Sequence, residues 1–316
     1  MKPFIHDRPD FKDLLSALGL ELSIADELIE KDYWLMHALW GLRELNLAYE
    51  LKGGTSLSKG WGCIDRFSED IDILIQTDGI DQVPKGKNHT KPSHVEKRKE
   101  YFDDIFKKIA IPGFSSVARD TLFDDKQFRN IGIRLYYPKL FGSVDGLKDG
   151  ILLEIGFDQT TPNEMKKISS WVLDKATTTA IMKDIRDNRI DDVKCYLPEY
   201  TFVEKLQTIS TKFRQQQEKQ DMPVNFLRHY YDVSQLLKLD RVQQFIGTVA
   251  YNEHKQKRFR ENDEQDLTIN EAFILSDPGV RKKYNDDFLK SKDLYFKSQP
   301  SFDGFLADLK PWLSKL

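Results

Sequence analysis

The chain has 316 residues, of which 40% are hydrophobic and 31% charged, and its formal net charge is −3. At a prior of about 150 residues per domain, this length predicts two domains or one large one. No apolar run approaches the roughly 18 residues of a membrane-spanning helix, and the first residues hold no apolar signal-peptide core, so we expect neither a membrane span nor a secretory leader.

The two cysteines, Cys63 and Cys195, lie far apart in the sequence. Such a pair builds neither a disulfide framework nor a cysteine-rich zinc site. We therefore expect a soluble protein in a reducing compartment, the cytoplasm.

The first clear element is a helix predicted over residues 23–45. Ser23 and Asp26 are typical of an N-terminal capping box. Apolar residues recur at helical spacing along one side. Lys31 falls on that same side, so it either extends to the surface or reaches toward a site.

A pair of glycines follows the short strand predicted over residues 47–51. Glycine lets a backbone approach a phosphate closely, and N–H groups at the start of a helix bind anions. The segment Gly53-Gly54-Thr55-Ser56 therefore predicts a phosphate site. The G-x-x-x-x-G-K-[ST] loop and the protein-kinase motifs are absent from the sequence, which excludes P-loop enzymes and protein kinases.

Acidic and apolar residues alternate over residues 70–75, which predicts a strand. Asp70 and Asp72 project from one face, and Ile71 and Ile73 from the other. Two adjacent carboxylates repel each other unless a cation lies between them, and oxygen ligands suit magnesium or manganese. The pair predicts a metal site, although the same alternation occurs on many half-exposed strands.

Two more strands are predicted over residues 131–137 and 151–157. The second carries Glu154 between apolar neighbours, where a charge without a partner is costly to bury. Glu154 is therefore the candidate third carboxylate of a metal site. A water-facing strand edge or a salt bridge is the alternative explanation.

Helical spacing dominates from about residue 193 onward, and Thr201 with Glu204 suggests another capping box. We predict an α/β domain over residues 1–190 and a helical domain over residues 191–316. The predicted fold class is α/β, or α+β, with a mixed sheet.

Basic residues cluster at two places in the chain. Such patches can hold RNA phosphates, although a charged run is more often only a solvated surface. The candidate RNA-binding residues are Lys97, Arg98, Lys99, Lys255, Lys257, Arg258 and Arg260.

The glycine and carboxylate segments together resemble the DNA polymerase β-like nucleotidyltransferase superfamily. The carboxylate segment reads Arg66-Phe67-Ser68-Glu69-Asp70-Ile71-Asp72. Three further segments, at residues 30–34, 198–206 and 228–233, are similar to motifs of the AbiEii/AbiGii toxin family, which includes the MenT-type toxins. The similarity runs from about residue 30 to 260. His229 departs from the pattern, because an acid is expected there.

The resemblance implies a polymerase β-like core and a set of roles. Asp70, Asp72 and Glu154 would hold Mg²⁺ or Mn²⁺, and Glu154 would help to activate the attacking hydroxyl. Catalytic roles are also implied for Lys205 and Asp232. The residues implied in nucleotide binding are Gly53, Gly54, Thr55, Ser56, Arg66, Ser68 and Lys205.

Lys205 would neutralise triphosphate charge, and Asp232 would orient Lys205 or contact the nucleotide. Arg66 would support its loop or bind phosphate. Each has a plainer alternative: Lys205 could flank an amphipathic helix, Arg66 could be a solvated turn residue, and Arg228 with Asp232 could form a surface ion pair.

The implied function is that of a toxin from a toxin–antitoxin or phage-defence pair. It would transfer nucleotides from a nucleoside triphosphate to RNA, for example to the 3′ end of tRNA, and have a cognate antitoxin as partner. The alternatives are transfer to a protein or small-molecule hydroxyl, and an inactive nucleotide-binding scaffold.

Overall fold

A computed structural model describes most of the chain. The described ranges are residues 2–75, 83–86, 88–142, 147–158, 160–219, 221–223, 225–297 and 301–316. Two units can be distinguished by their internal contacts. The first consists of Met1–Trp61 and Phe67–Tyr196, and the second of Gly62–Arg66 and Leu197–Leu316. The domain boundary after residue 190 stays a prediction.

The first unit contains a sheet to which the described residues contribute seven strands. The strands are β1 Tyr49–Lys52, β2 Asp70–Ile75, β3 Ser116–Arg119, β4 Asn130–Tyr136, β5 Ile151–Gly156, β6 Asn163–Ile168 and β7 Ile190–Tyr196. Their order is β3-β4-β5-β2-β1-β7-β6. The β2–β5 and β1–β7 pairs are parallel, and the other neighbours are antiparallel. The sheet is thus mixed, as predicted.

The helices of the first unit are α1 Phe11–Leu22, α2 Asp26–Glu44, α3 Gly53–Thr55, α4 Pro92–Lys108 and α5 Trp171–Thr177. The capping box predicted at Ser23 is wrong. Ser23 ends α1 in a left-handed conformation, with φ of 56°, and its N–H bonds to the carbonyl of Gly19. The tight turn between two helices therefore uses this residue, and α2 begins after Ala25.

The two faces of β2 have different roles. Ile71 and Ile73 are buried, and burial of such a side chain contributes about 1.5–3 kcal/mol. The acidic residues alternate with them, so packing of the isoleucines determines the face on which Asp70 and Asp72 stand. Packing of this strand therefore positions the candidate site.

The second unit is helical. Its helices are α6 Pro198–Lys219, α7 Arg228–Leu236, α8 Asp240–Phe245, α9 Val249–Arg258, α10 Glu271–Ile274, α11 Pro278–Leu289 and α12 Phe302–Leu309. The capping box predicted at Thr201 is wrong, because α6 already begins at Pro198 and the Thr201 hydroxyl donates to the carbonyl of Leu197. No helix in the described part of the chain is long and apolar enough to span a membrane.

Five residues that precede β2 also belong to the second unit. Arg66 forms a β-bridge with Tyr295, and the N–H of Phe296 donates to the carbonyl of Asp65 at 3.2 Å. The hydroxyl of Tyr231 accepts from the N–H of Asp65 at 2.9 Å. The segment Gly62–Arg66 is therefore held by contacts within the helical unit.

Candidate active site

The turn after β1 brings backbone close to a carboxylate. Gly53 has φ of +71°, a conformation that favours glycine. A Cβ at this position would collide with the carboxylate of Asp72. Asp72 lies opposite Lys52 in the antiparallel β1–β2 pair. Glycine is thus required here on both conformational and steric grounds.

The hydroxyl residues of the same segment face the interior. Thr55 and Ser56 are buried. The Thr55 hydroxyl donates to the carbonyl of Asp70 at 2.5 Å, which fixes the start of β2. Because both hydroxyls are inside, a phosphate contact from this segment would use backbone N–H groups.

Three carboxylates share one face of β2 and β5. Asp72 is directly opposite Glu154 in the parallel register, and Asp70 is opposite Leu152. Adjacent strands lie about 4.8 Å apart. Burial, followed by the negative charges of Asp72 and Asp70, raises the pKa of Glu154 to about 8. The face concentrates negative charge in a poorly hydrated place.

A divalent cation fits the donor chemistry of this face. The ligands are oxygens only, as magnesium and manganese prefer. Asp70 already pairs with a cation, because the Lys148 ammonium donates to its Oδ2 at 2.7 Å. In the described ranges, however, no group of three or more His, Cys, Asp or Glu side chains is arranged to hold a metal. The donor types nonetheless fit the ion, and Asp70, Asp72 and Glu154 are near enough for their charges to interact.

Helix α2 anchors the surroundings of the carboxylates through three consecutive charged residues. Glu30 accepts from the N–H of Leu140 at 2.8 Å, and Asp32 accepts from the N–H of Trp171 at 2.8 Å and pairs with Lys59. Lys31 is buried. Of the two possibilities for Lys31, extension to the surface is therefore wrong.

A second cluster, in the helical unit, joins Arg66, Asp232 and Lys205. The Arg66 guanidinium donates to both oxygens of Asp232, from Nε at 2.6 Å and from Nη2 at 2.7 Å. The ammonium of Lys205 lies 3.0 Å from Oδ2 of Asp232. All three side chains are buried. Asp232 therefore pairs with both Arg66 and Lys205, and the role that the resemblance implies for it stays a prediction.

The charges of this cluster hold Asp232 ionised. Burial acts to raise its pKa, but the charges and hydrogen bonds of Arg66 and Lys205 outweigh that effect and lower the pKa to about 2. Burial lowers the pKa of Lys205, and the charge of Asp232 opposes this. Two plainer alternatives are wrong: Asp232 is not in an exposed pair with Arg228, and Arg66 is not a solvated turn residue.

His229 stands between two ammonium groups. Its Nδ1 lies 3.3 Å from Nζ of Lys205, and its Nε2 lies 3.4 Å from Nζ of Lys212. Burial, followed by the charges of Lys205 and Lys212, lowers the pKa of His229 well below its ordinary value. A neutral imidazole has one donor and one acceptor, so it can accept from only one of the two. In the other contact, the ring N–H of His229 faces an ammonium N–H, so two donors oppose each other.

Comparison with known families matches residues 35–308 to the family described as nucleotidyl transferase AbiEii toxin, type IV TA system. The chain belongs to the AbiEii nucleotidyltransferase toxin family. Neither the curated proteins nor the solved structures yield a significant match. The mixed α/β fold described above is consistent with this membership, and the resemblance found in the sequence is confirmed.

Two basic residues predicted to bind RNA form hydrogen bonds within this AbiEii-family protein. Arg98 is buried, and its guanidinium donates to the carbonyls of Gln127, Pro84 and His89. Lys255 donates to the carbonyls of Gln265 and Leu316. The RNA assignment of Arg98 is therefore wrong, because its side chain is buried, whereas Lys255 is half-buried and its assignment stays a prediction.

The other five basic residues predicted to bind RNA differ from one another in solvent exposure. Lys97, Lys257 and Arg260 are exposed. Arg258 is half-buried and lies 3.4 Å from Glu204, and Lys99 lies 3.6 Å from Glu96. Lys99 also has 45% of its side chain exposed, so Lys97, Lys99, Lys257 and Arg260 are open to solvent, and their assignment to RNA stays a prediction.

Two residues next to the candidate groups were missed by sequence reasoning. Lys148, whose ammonium donates to Asp70, lies three residues before β5. Strands β5 and β2 are parallel and start at the same end of the sheet. A lysine just before the strand that carries the third acid was the available signal. Lys212 is seven residues after Lys205, on the same side of α6, and that spacing was its signal. Ser68 is buried, and its predicted role stays a prediction.

Proposed function

We propose that this protein is a metal-dependent toxin enzyme of a toxin–antitoxin or phage-defence pair that transfers nucleotides from a nucleoside triphosphate to RNA. The 3′ end of tRNA is the acceptor to test first. The observation that carries the proposal is the common face of Asp70, Asp72 and Glu154, with the Gly53 turn beside it. Membership of a nucleotidyltransferase family supports it.

Asp70 and Asp72 are the residues that would hold Mg²⁺ or Mn²⁺. The chemistry supplied by such an ion is neutralisation of the triphosphate and of the attacking and leaving oxygens. The Gly53-Gly54 turn would place backbone next to the phosphates, because no side chain there separates the chain from Asp72. Positioning of this kind supplies much of the rate in phosphoryl transfer.

Glu154 is the residue that would take the proton of the acceptor hydroxyl. In the proposed reaction the hydroxyl oxygen attacks the α-phosphorus, the bond to the leaving oxygen breaks, and pyrophosphate departs. Its position directly opposite Asp72 puts a carboxylate beside the proposed metal ligands, where a general base for that proton is required.

Lys205 would neutralise triphosphate charge. Support comes from its surroundings, since His229 and Lys212 add donors and Asp232 fixes the ammonium. An anion among these groups would accept the hydrogen bonds that His229 alone cannot accept. Asp232 and Arg66 act on Lys205 rather than on the nucleotide.

The test is incubation of the protein with total tRNA, Mg²⁺ and each nucleoside triphosphate labelled at its α-phosphate. Asp72→Asn should abolish label on RNA, whereas the matched control Glu164→Gln, on edge strand β6 of the same sheet, should retain it. Label on a protein or a small acceptor instead would redirect the proposal to those substrates. Binding of triphosphate without transfer to any acceptor would indicate an inactive scaffold.

A further inference from the structure

The ammonium of Lys148 lies on a proposed metal ligand. Its Nζ donates to Oδ2 of Asp70 at 2.7 Å and stands 5.2 Å from the centre of the Phe123 ring. A quarter of the Lys148 side chain (25%) is exposed, against 7% for Asp70. The ammonium is therefore at the boundary between the carboxylate face and solvent.

The backbone of Lys148 is held from both sides by a buried ion pair. Its N–H donates to Oε2 of Glu69 at 2.8 Å, and its carbonyl accepts from the ammonium of Lys31 at 2.5 Å. Lys31 Nζ and Glu69 Oε2 are 3.6 Å apart, and both residues are buried. Burial of two charges is costly unless hydrogen bonds compensate them, and the peptide groups of Lys148 supply one hydrogen bond to each partner.

This arrangement fixes the main chain of Lys148 but not its side chain. The four-carbon stem of a lysine can rotate about a fixed Cα, and the ammonium has three donors that suit either carboxylate or phosphate oxygens. The buried pair thus determines where the stem starts, while the exposed end of the side chain can change partner.

We propose that Lys148 is a phosphate-binding residue that leaves Asp70 for an oxygen of the nucleoside triphosphate when a divalent metal binds to Asp70. The inference rests on the proposed function of the carboxylate face. An ammonium and a divalent ion compete for the same oxygen, because they use the same lone pairs and repel each other. The displaced ammonium stays tethered within reach of phosphates held at the neighbouring carboxylates.

The proposal predicts two opposite changes for Lys148→Met. Without a phosphate ligand, Mn²⁺ alone should bind about threefold more tightly, because its competitor is gone. With Mn²⁺ present, inorganic tripolyphosphate should bind about tenfold more weakly, because one charged hydrogen bond to phosphate is lost. Lys148→Arg, which keeps the charge, should restore most of the tripolyphosphate affinity.

Calorimetric titration of the whole chain with Mn²⁺, and then with tripolyphosphate, measures both constants. The matched control is Lys166→Met, because Lys166 is similarly exposed (26%), pairs with Glu164 and lies over the Trp61 ring. Lys166→Met should behave as wild type in both titrations.

Unchanged Mn²⁺ and tripolyphosphate affinities in Lys148→Met would overturn the inference and leave the proposed function standing. Weaker binding of Mn²⁺ alone would also overturn it, since Lys148 would then support the metal site. Absence of Mn²⁺ binding in the wild type and in Lys166→Met would overturn the proposed metal site and, with it, the inference.

Discussion

Asp72 and Glu154 are direct neighbours across the parallel strands β2 and β5, and both side chains leave the same face of the sheet. Two acidic side chains directly opposite each other destabilise the pairing of their strands when both are charged, because like charges repel. The apolar residues on the opposite face stabilise the arrangement, and the acids have to be compensated by cations. Function and stability should therefore conflict at Glu154.

Glu154→Gln should stabilise the metal-free protein at alkaline pH while it removes nucleotidyl transfer. The pKa of Glu154 is about 8 in the folded protein, against an ordinary value of 4.5 in the unfolded chain. The unfolded chain therefore loses this proton first, and the wild type loses stability as pH rises from about 4.5 to 8. The variant should avoid a loss of about 1–3 kcal/mol.

Urea unfolding in EDTA at pH 5 and pH 8.5 measures this difference for the two proteins. Glu164→Gln is the control, since Glu164 is half-exposed on β6. An identical loss of stability with pH in wild type and Glu154→Gln would contradict the prediction.

Lys205→Met and Asp232→Asn should have different effects on stability. Asp232→Asn leaves the Arg66 guanidinium and the Lys205 ammonium buried without their carboxylate, which should cost about 3–5 kcal/mol. Lys205→Met keeps the Arg66–Asp232 pair intact, so the free energy of unfolding should change by less than about 1 kcal/mol, while transfer activity falls about tenfold or more.

Thermal unfolding and initial rates of α-label transfer separate these effects. A large loss of stability in Lys205→Met would indicate that the lysine is mainly structural. Normal transfer activity in a folded Lys205→Met variant would exclude its role toward phosphate.

Lys31→Met should destabilise the first unit by about 3–5 kcal/mol, because it leaves Glu69 buried without its cation. The double variant Lys31→Met/Glu69→Gln should lose less than the sum of the single variants, since the two side chains interact directly. Chemical unfolding of the single and double variants measures the coupling. Lys12→Met, on the exposed side of α1, is the control. Additive losses would mean that the ion pair contributes no coupling.

The exposed residues Lys97, Lys257 and Arg260 should act on RNA affinity and not on stability. Replacing all three by alanine should weaken RNA binding, and each lost phosphate contact should reduce the slope of log affinity against log salt by about 0.7–0.9. Binding to total tRNA at several salt concentrations gives that slope.

A variant with the same loss of charge controls for the overall electrostatic effect. Lys282, Lys283 and Lys310 are exposed and lie outside both basic clusters, so their joint replacement by alanine serves this purpose. Equal salt slopes in the two triple variants would exclude a specific RNA track at the predicted residues.

The local pattern of β2 predicted its strand and the common face of Asp70 and Asp72, because side-chain alternation is a property of one strand. The placement of Glu154 opposite Asp72 needed the pairing of β2 with β5, whose segments are separated by about 80 residues. The apolar neighbours of Glu154 made it a candidate third carboxylate, since a charge in an apolar run needs compensation. They could not give the register between β2 and β5.

The groups that compensate the acids were harder to predict. The backbone of Lys148 is held next to Asp70 by hydrogen bonds with Lys31 and Glu69, which belong to other segments. Similarly, the sequence could not exclude a surface position for Arg66, because its carboxylate comes from α7. Long-range ion pairs leave no periodic signal. The resemblance to a family named Arg66, Lys205 and Asp232, but it gave neither the Arg66–Asp232 pair nor Lys148.

The five residues Gly62–Arg66 belong to the second unit although the first unit surrounds them in sequence, and this has a consequence for biosynthesis. Arg66 and Asp232 are 166 positions apart, so the ribosome completes every residue of the first unit before it reaches the carboxylate that holds this arginine. A gene fragment ending at Tyr196 would encode Arg66 and lack Asp232, and the complementary fragment would encode Asp232 and lack Arg66. Any single cut between positions 66 and 232 therefore separates this buried arginine from its carboxylate.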